Sequence, residues 1–305
     1  MKEGATTEQL TSPEAGEYSS RVLLHFARHG DKTSDPDKSN VEQVLTEIGR
    51  RQGWDKGKAL GPATPTAMAF GGDVLRSQEM GGFMLAGAED NEGITGQETL
   101  DELRAKLDED RKVGTRLAVD PRLSFHYESP EVWRVAGGAY KKGGGGLKWM
   151  VENSDQLVME HGNERETSYS RVASNIAQVL EKYAKIAPRF DAIVSDEEKM
   201  KQYGDTLERM MGSHAGAIDY FLCKLVEVMR GKGERDRLIS MCDEMGFDVA
   251  EGFDVEIDMV NGEPQMRVKY EKKSKDGEED FVFNENIPPE VLEQIIAEGE
   301  ATKNK

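Results

Sequence analysis

One stretch limits the possible folds of this chain more than any other: an apolar run, VLLHFA, at residues 22–27. It follows a polar and acidic stretch and is bounded by turn-forming residues, so it begins abruptly. A short run that is apolar at both odd and even positions is typical of a strand buried on both faces, as in a parallel sheet. We therefore predict an α/β fold, with residues 1–20 as a disordered leader and with His25 buried and hydrogen-bonded.

The rest of the sequence alternates between strand and helix patterns. Thr46 is the expected N-cap of the first helix, and Asp73 that of a helix after the second strand. Alternating residues on either side of Asn261-Gly262 predict a β-hairpin. Residues 137–163 show no clear period and include four consecutive glycines, so we expect a mobile insertion or lid there. Further strands are predicted at 66–70, 207–213 and 281–283, and helices at 46–60, 97–111, 165–186, 216–230 and 290–297.

Charge and composition exclude several classes of partner. The formal net charge is −18, from 58 acidic and 40 basic residues, so the chain should repel nucleic acid and anionic membranes. A small phosphorylated substrate is still allowed, because a local positive pocket can oppose the net charge. There is no apolar run of membrane-spanning length and no secretory signal. Two cysteines at distant positions predict neither a disulfide framework nor a zinc site, which favours a cytoplasmic location. No particular oligomeric state is predicted.

Basic and imidazole side chains follow three of the predicted strands. They are Arg28-His29-Gly30, Arg76 and the run Ser213-His214-Ala215-Gly216. In open α/β sheets, ligand sites lie at the carboxyl ends of the strands. Guanidinium groups match phosphate oxygens, an imidazole can attack phosphorus, and the helix N-terminus after His214 offers backbone donors to an anion. Together these residues predict a phosphate site with a histidine nucleophile.

Four stretches of the chain resemble the histidine phosphatase superfamily, also called the phosphoglycerate mutase-like family. They are LLHFARHGDKT (23–33), LTEIGRRQG (45–53), GGDVLRSQEMGG (71–82) and MMGSHAGAIDYFL (210–222). The hairpin at 254–270 is similar to the family's closing strands. Because Ala215-Gly216 follows His214, where the acid phosphatase and phytase branch has Asp, the chain resembles the mutase and small-phosphatase branch.

The resemblance implies a three-layer α/β/α sandwich with a mostly parallel sheet. The domain would cover 21–285, with a lid at about 88–165, and a C-terminal helix and tail would cover 286–305. His29 would be the nucleophile and form a phosphohistidine, with no metal or other cofactor. Arg28, Arg76 and His214 would hold the phosphoryl oxygens. Lys32 is either a further phosphate contact or a solvated lysine.

The proton donor departs from the family pattern. Family members usually carry a Glu shortly after an Arg-Leu pair, but here the position after Arg122-Leu123 falls near Phe125. We choose Glu128 as the acid, with His126 and Glu131 as alternatives. The resulting expectation is metal-independent hydrolysis of a phosphomonoester. The alternatives are a phosphoglycerate mutase-type transfer and a phospho-ligand binding protein with impaired catalysis.

Overall fold

The computed structural model describes residues 19–109, 114–127, 129–141, 146–163, 165–275, 277 and 279–303. Most of the predicted leader and Glu128 lie outside the described residues. The described residues form a mixed α/β fold with one seven-stranded sheet. The strands are β1 (Arg21–Arg28), β2 (Met68–Gly71), β3 (Leu117–Val119), β4 (Thr206–Ser213), β5 (Gly252–Val260), β6 (Glu263–Lys272) and β7 (Phe281–Asn286). The helices are α1 (Glu47–Leu60), α2 (Leu75–Ala88), α3 (Leu100–Asp108), α4 (Pro130–Lys141), α5 (Gly146–His161), α6 (Tyr169–Val194), α7 (Glu197–Tyr203), α8 (Ile218–Arg230), α9 (Lys232–Met241) and α10 (Pro289–Ala301).

The sheet has the order β3-β2-β4-β1-β5-β6-β7, with β1 at its centre. The four strands from β3 to β1 are parallel to one another, whereas β5, β6 and β7 add three antiparallel ladders. The sheet is therefore mixed rather than mostly parallel. The reason is that the predicted hairpin extends the sheet beyond β1, and hairpin strands must run antiparallel. None of the described helices is long and apolar enough to span a bilayer.

Several predicted elements are confirmed. Helix α1 begins after Thr46, whose side chain accepts a hydrogen bond from the Gly49 amide. The hairpin turn at Asn261 and Gly262 has positive φ at both residues, as a two-residue hairpin loop of this type requires. The other predicted helices overlap α3, α6, α8 and α10, and α6 extends to Val194. β3, α7 and α9 have no counterpart among the predicted elements.

Two local predictions are wrong. Residues 137–163, expected to lack regular structure, are largely helical, because α4 and α5 occupy most of this stretch and bury Leu147, Met150 and Leu157 in the main core. Residues 142–145, with three of the four glycines, lie outside the described residues, and a lid in this region stays a prediction. Asp73 does not cap α2, whose N-cap is Val74. The carboxylate of Asp73 instead lies 2.8 Å from Nε2 of His126.

The internal glycines of α1 allow two helices to approach closely. A Cβ on Gly57 would collide with the Met84 carbonyl oxygen of α2, and a Cβ on Gly87 would collide with the Trp54 carbonyl oxygen of α1. Glycine lowers helix propensity by about 1 kcal/mol per residue. Here that cost is offset by tight packing of α1 on α2, a gain that local propensity does not reveal.

Apolar side chains form two core clusters, one on each face of the sheet. Adjacent residues of a strand point to opposite faces, and Met210 and Met211 of β4 accordingly belong to different clusters. The larger cluster joins β1 and β5 to α6 and α8, and the smaller one joins β2 to α2 and α3. Near the C-terminus, α10 packs on α6, where Arg171 donates to Oγ1 of Thr302 at 3.1 Å.

His25 connects the three central strands by ion pairs. Its Nδ1 donates to Asp254 of β5 at 2.8 Å, and its Nε2 lies 3.3 Å from Glu208 of β4. Burial alone would lower the pKa of His25, but the hydrogen bonds and charges of Asp254 and Glu208 raise it to about 9. The same contacts with His25, opposed by burial, lower the pKa values of Asp254 and Glu208. All three groups are therefore charged at neutral pH.

This arrangement predicts a loss of stability at alkaline pH. A histidine with a raised pKa contributes its full stabilisation below about pH 6.5, and the contribution is lost as the pH rises through about 9. Wild type should exceed His25→Gln in free energy of unfolding at pH 6.5, and the gap should shrink by on the order of 2–3 kcal/mol by pH 9.5. Urea denaturation at the two pH values measures this change. An unchanged gap would show that His25 is not charged in the folded protein.

Candidate active site

The register of β1 against β4 brings the two candidate histidines together. Arg28 lies opposite Ser213 in the parallel ladder, so each strand is followed directly by a histidine. The amide of His29 donates to the Ser213 carbonyl at 2.8 Å. The rings of His29 and His214 lie 5.4 Å apart, centre to centre, in an edge-to-face arrangement. Both side chains are buried.

The hydrogen bonds of His29 assign its tautomer. Nδ1 lies 2.8 Å from the Gly30 carbonyl oxygen, which can only accept, so Nδ1 carries the proton. Nε2 therefore carries the lone pair and accepts from Nε of Arg76 at 3.2 Å. Burial, followed by the charges of Arg76 and Arg28, lowers the pKa of His29 to about 3. The imidazole is thus neutral at physiological pH, with its nucleophilic nitrogen turned towards a guanidinium group.

The two arginines are positioned by main-chain oxygens. Nη1 of Arg28 donates to the Phe247 carbonyl, and Nη1 of Arg76 donates to the Asn40 carbonyl. Burial lowers the pKa of Arg76 to about 10, which leaves it protonated at neutral pH. Carbonyl groups orient the two arginines without cancelling their charge, while the buried carboxylate of Asp219 interacts electrostatically with Arg28.

Two buried polar atoms beside His29 have no hydrogen-bond partner in the part of the chain that the structure describes. They are Nε of Arg28 and Nε2 of His214. Buried polar atoms are rarely left without a partner, and each one that is requires an explanation. A tetrahedral oxyanion in front of His29 would provide acceptors for such groups. The structure therefore brings Arg28, His29, Arg76 and His214 into one cluster, as the sequence predicts.

Lys32 lies at the edge of this cluster. Its Nζ is 3.5 Å from the Thr33 carbonyl, and its backbone pairs with Leu45 as an isolated bridge. Partial burial and then the charge of Arg76 lower the pKa of Lys32. The amine of Lys32 therefore lies close enough to Arg76 for the two positive charges to repel each other.

Asp219 is a site residue that the sequence analysis did not identify. Its Oδ1 accepts from the amides of Gly216 and Tyr220 at 2.5 and 2.9 Å, and burial raises its pKa to about 6. The sequence analysis expected backbone amides at the start of α8 to face an anion. The amides of Gly216 and Tyr220 instead donate to the carboxylate of Asp219. The sequence feature that could have identified Asp219 is its position as an acidic residue in the first turn of α8. In the described ranges no group of three or more His, Cys, Asp or Glu side chains could hold a metal ion.

The predicted proton donors differ in their surroundings. Glu131 is exposed on α4 and paired with Arg134 at 2.8 Å, so it is not brought to the cluster. His126 is paired with Asp73. The pKa of His214 is lowered mainly by burial and also by the charge of His126, so His126 lies close to His214. Phe125, near which the resemblance predicted an acid, packs against Gly216.

Comparison with known proteins finds similarity at the level of solved structures alone. No protein-family model matches the chain, and no curated protein matches it. It is similar to the structure of "Mycobacterial hydrolase 2" (16% identity, TM-score 0.45, 91% of this chain and 97% of that one). It is also similar to the structure of a mycobacterial glucosyl-3-phosphoglycerate phosphatase (15% identity, TM-score 0.40, 78% of this chain and 89% of that one). A third similar structure is that of Hafnia alvei phytase (10% identity, TM-score 0.37, 95% of this chain and 98% of that one). Structures of the histidine phosphatase superfamily are thus among those that match.

The geometry predicts an oxyanion site that depends on Arg76. Orthovanadate or phosphate should bind to the wild-type protein, and Arg76→Met should weaken that binding about 10- to 100-fold, because a charge-assisted hydrogen bond to a buried anion is lost. Isothermal titration calorimetry measures the affinity. Arg104→Met is the control, because Arg104 lies on α3 and pairs with Asp101 at 3.2 Å. Equal affinity in wild type and Arg76→Met would remove Arg76 from the site.

Proposed function

We propose that this protein is a metal-independent phosphatase that hydrolyses phosphomonoesters through a phosphohistidine on Nε2 of His29. One observation carries the proposal: the lone pair of a neutral, buried imidazole lies beside two buried atoms without partners, Nε of Arg28 and Nε2 of His214. An attacking nitrogen and donors for phosphoryl oxygens are the two requirements of this reaction.

In the first step, Nε2 of His29 forms a bond to phosphorus and the bond between phosphorus and the ester oxygen breaks. The ester oxygen takes the bonding electron pair and leaves as an alcohol after it receives a proton. Arg28, Arg76 and His214 hold the three non-bridging oxygens, and Lys32 adds a positive charge at the edge. Their contribution is greatest in the transition state, because the donors are oriented before the reaction begins.

In the second step, water attacks phosphorus and gives up a proton, the bond between nitrogen and phosphorus breaks, and inorganic phosphate leaves. The lone pair returns to Nε2 of His29. The proton stays on Nδ1 and is donated to the Gly30 carbonyl in both steps, which keeps the ring in the orientation that the reaction needs.

The proton donor is proposed to be Glu128, which follows the segment that carries Phe125 and His126. The same residue would then activate water in the second step. His126 is the rival, because its Nε2 lies 2.8 Å from Asp73 and an anionic partner favours a protonated imidazole. Asp73 is itself charged at neutral pH: burial opposes ionisation, but the hydrogen bonds from His126 and Ser124 lower its pKa.

The finer organisation of the chain is also part of the proposal. We infer a three-layer α/β/α domain over residues 21–285, a lid at about 88–165 that includes α4 and α5, and a C-terminal helix and tail at 286–305. A second function, binding of a phosphorylated ligand without efficient turnover, is supported by Phe125 in place of a carboxylate. Release of phosphate from a generic phosphomonoester separates the two functions.

The nucleophile assignment predicts a large effect at one residue. His29→Ala should lower turnover by several orders of magnitude and abolish an acid-labile phosphoprotein, because the covalent route is lost. Phosphate release and acid-quench labelling measure the two effects. His161→Ala is the control, because this side chain lies exposed at the end of α5. A His29→Ala protein with near wild-type turnover would exclude the proposed mechanism.

The donor assignment predicts a dependence on the leaving group. Glu128→Gln should slow hydrolysis of alkyl phosphates by roughly 10²–10⁴-fold and barely affect an activated aryl phosphate, whose oxygen leaves without a proton. Steady-state kinetics on both esters test this, and Glu131→Gln should change neither rate, since Glu131 is exposed and paired with Arg134. If His126→Asn shows this pattern and Glu128→Gln does not, the donor is His126.

A further inference from the structure

A cavity of about 310 Å³ opens beside the proposed phosphate site. It is bordered by Arg28 and by Ala215-Gly216 of the turn after β4, and it extends between this turn, α4 and α5. Small-molecule sites typically enclose about 300–1,000 Å³, so the space suits a group the size of one or two rings. Arg28 belongs both to the cavity wall and to the proposed phosphate site, and Ala215-Gly216 of the wall directly follow His214, so the two sites adjoin.

The walls of the cavity are aromatic and apolar. Five aromatic side chains line it: Phe125, Tyr127, Trp133, Trp149 and Tyr220. Phe125 contacts Tyr127 and Tyr220 edge-to-face, with ring centres 4.8 and 5.8 Å apart. Such rings offer large apolar surfaces that favour the edges and faces of another ring.

The described lining residues offer almost no charge to a ligand beyond its phosphate. Arg28 and Asp219 are the charged residues among them. Arg28 is assigned to the phosphate site, and Oδ1 of Asp219 is occupied by two backbone amides. Burial raises the pKa of Tyr127, so its hydroxyl stays neutral, and that hydroxyl lies 3.4 Å from Sδ of Met150. A carboxylate or a second phosphate placed in the cavity would be buried without a partner, which is costly.

We propose that the substrate is the phosphomonoester of a bulky apolar alcohol or phenol, whose apolar group fills this cavity while its phosphate lies at His29. The inference rests on the proposed phosphatase function and adds the substrate class to it. It also disfavours a phosphorylated hydroxy acid such as a glycerate, whose carboxylate would have no cationic partner among the described lining residues other than Arg28.

The first test compares two aryl esters with leaving groups of similar acidity. 2-Naphthyl phosphate should have a kcat/KM about 10- to 50-fold above that of phenyl phosphate, because its second ring is removed from water. Phosphate release measured for both esters gives the ratio. Equal kcat/KM values would show that the cavity does not receive the leaving group.

Two adjacent glycines of α4 provide matched variants. Gly137 lines the cavity, whereas Gly138 is not among its lining residues, and a Cβ on either would meet no atom within 4 Å. Gly137→Phe should fill part of the cavity and abolish the preference for naphthyl over phenyl phosphate. Gly138→Phe should keep the wild-type preference, and it controls for the effect of a bulky residue on α4.

Direct binding separates failure of the cavity assignment from failure of the phosphatase assignment. Calorimetry with naphthylmethylphosphonate and with methylphosphonate needs no turnover, and the aromatic ligand should bind at least tenfold more tightly to wild type and to Gly138→Phe, but not to Gly137→Phe. This result without any ester hydrolysis would retain the cavity assignment and overturn the phosphatase. Hydrolysis of both esters with equal affinities for the two phosphonates would overturn the cavity assignment alone. If neither ester is hydrolysed and the two phosphonates bind equally, both the phosphatase assignment and the cavity assignment are overturned.

Discussion

The parallel ladder between β1 and β4 determines where the residues of the candidate site lie. A shift of one residue in that ladder would turn every side chain to the other face of the sheet and would separate His29 from His214. The ladder is held from both sides. β5 pairs with the far edge of β1, and a Cβ on Gly252 would collide with the Phe26 carbonyl oxygen, so the backbones approach closely there. A central strand buried between two neighbours can hold a nucleophile rigidly at its end.

The second constraint is electrostatic. Two guanidinium groups are oriented by carbonyl oxygens, and a neutral imidazole lies between a carbonyl acceptor and one of these groups. Burying such charges is costly, and an anion that binds beside them offsets part of the cost. The net charge of −18 has little bearing on this site, because exposed carboxylates are screened over about 8–10 Å in physiological salt. Local arrangement, rather than net charge, decides which ligand the site attracts.

The groups that could be predicted from the sequence are those fixed by a strand pattern and the residue after it. The apolar run of β1 and the strand before Ser213 were sufficient to predict that Arg28, His29 and His214 meet at one sheet edge. The role of Asp219 could not be predicted, because it depends on a turn that directs two backbone amides onto one carboxylate. The helices α4 and α5 were missed for a related reason. Their glycines mask the apolar period, and only tertiary packing shows which residues are buried.

The aromatic side chain of Phe125 connects the apolar cavity to the demand for a proton donor. Phe125 forms part of the cavity wall next to Gly216. A carboxylate at that position would be buried among aromatic rings, where its charged form is disfavoured. A phenolic oxygen leaves with far less need of a proton than an alkoxide does, so an aryl ester places a weaker demand on any proton donor. An aromatic ring at position 125 therefore adds to the apolar surface available to a leaving group, and aryl esters, which need a proton donor least, are the esters such a surface would bind best.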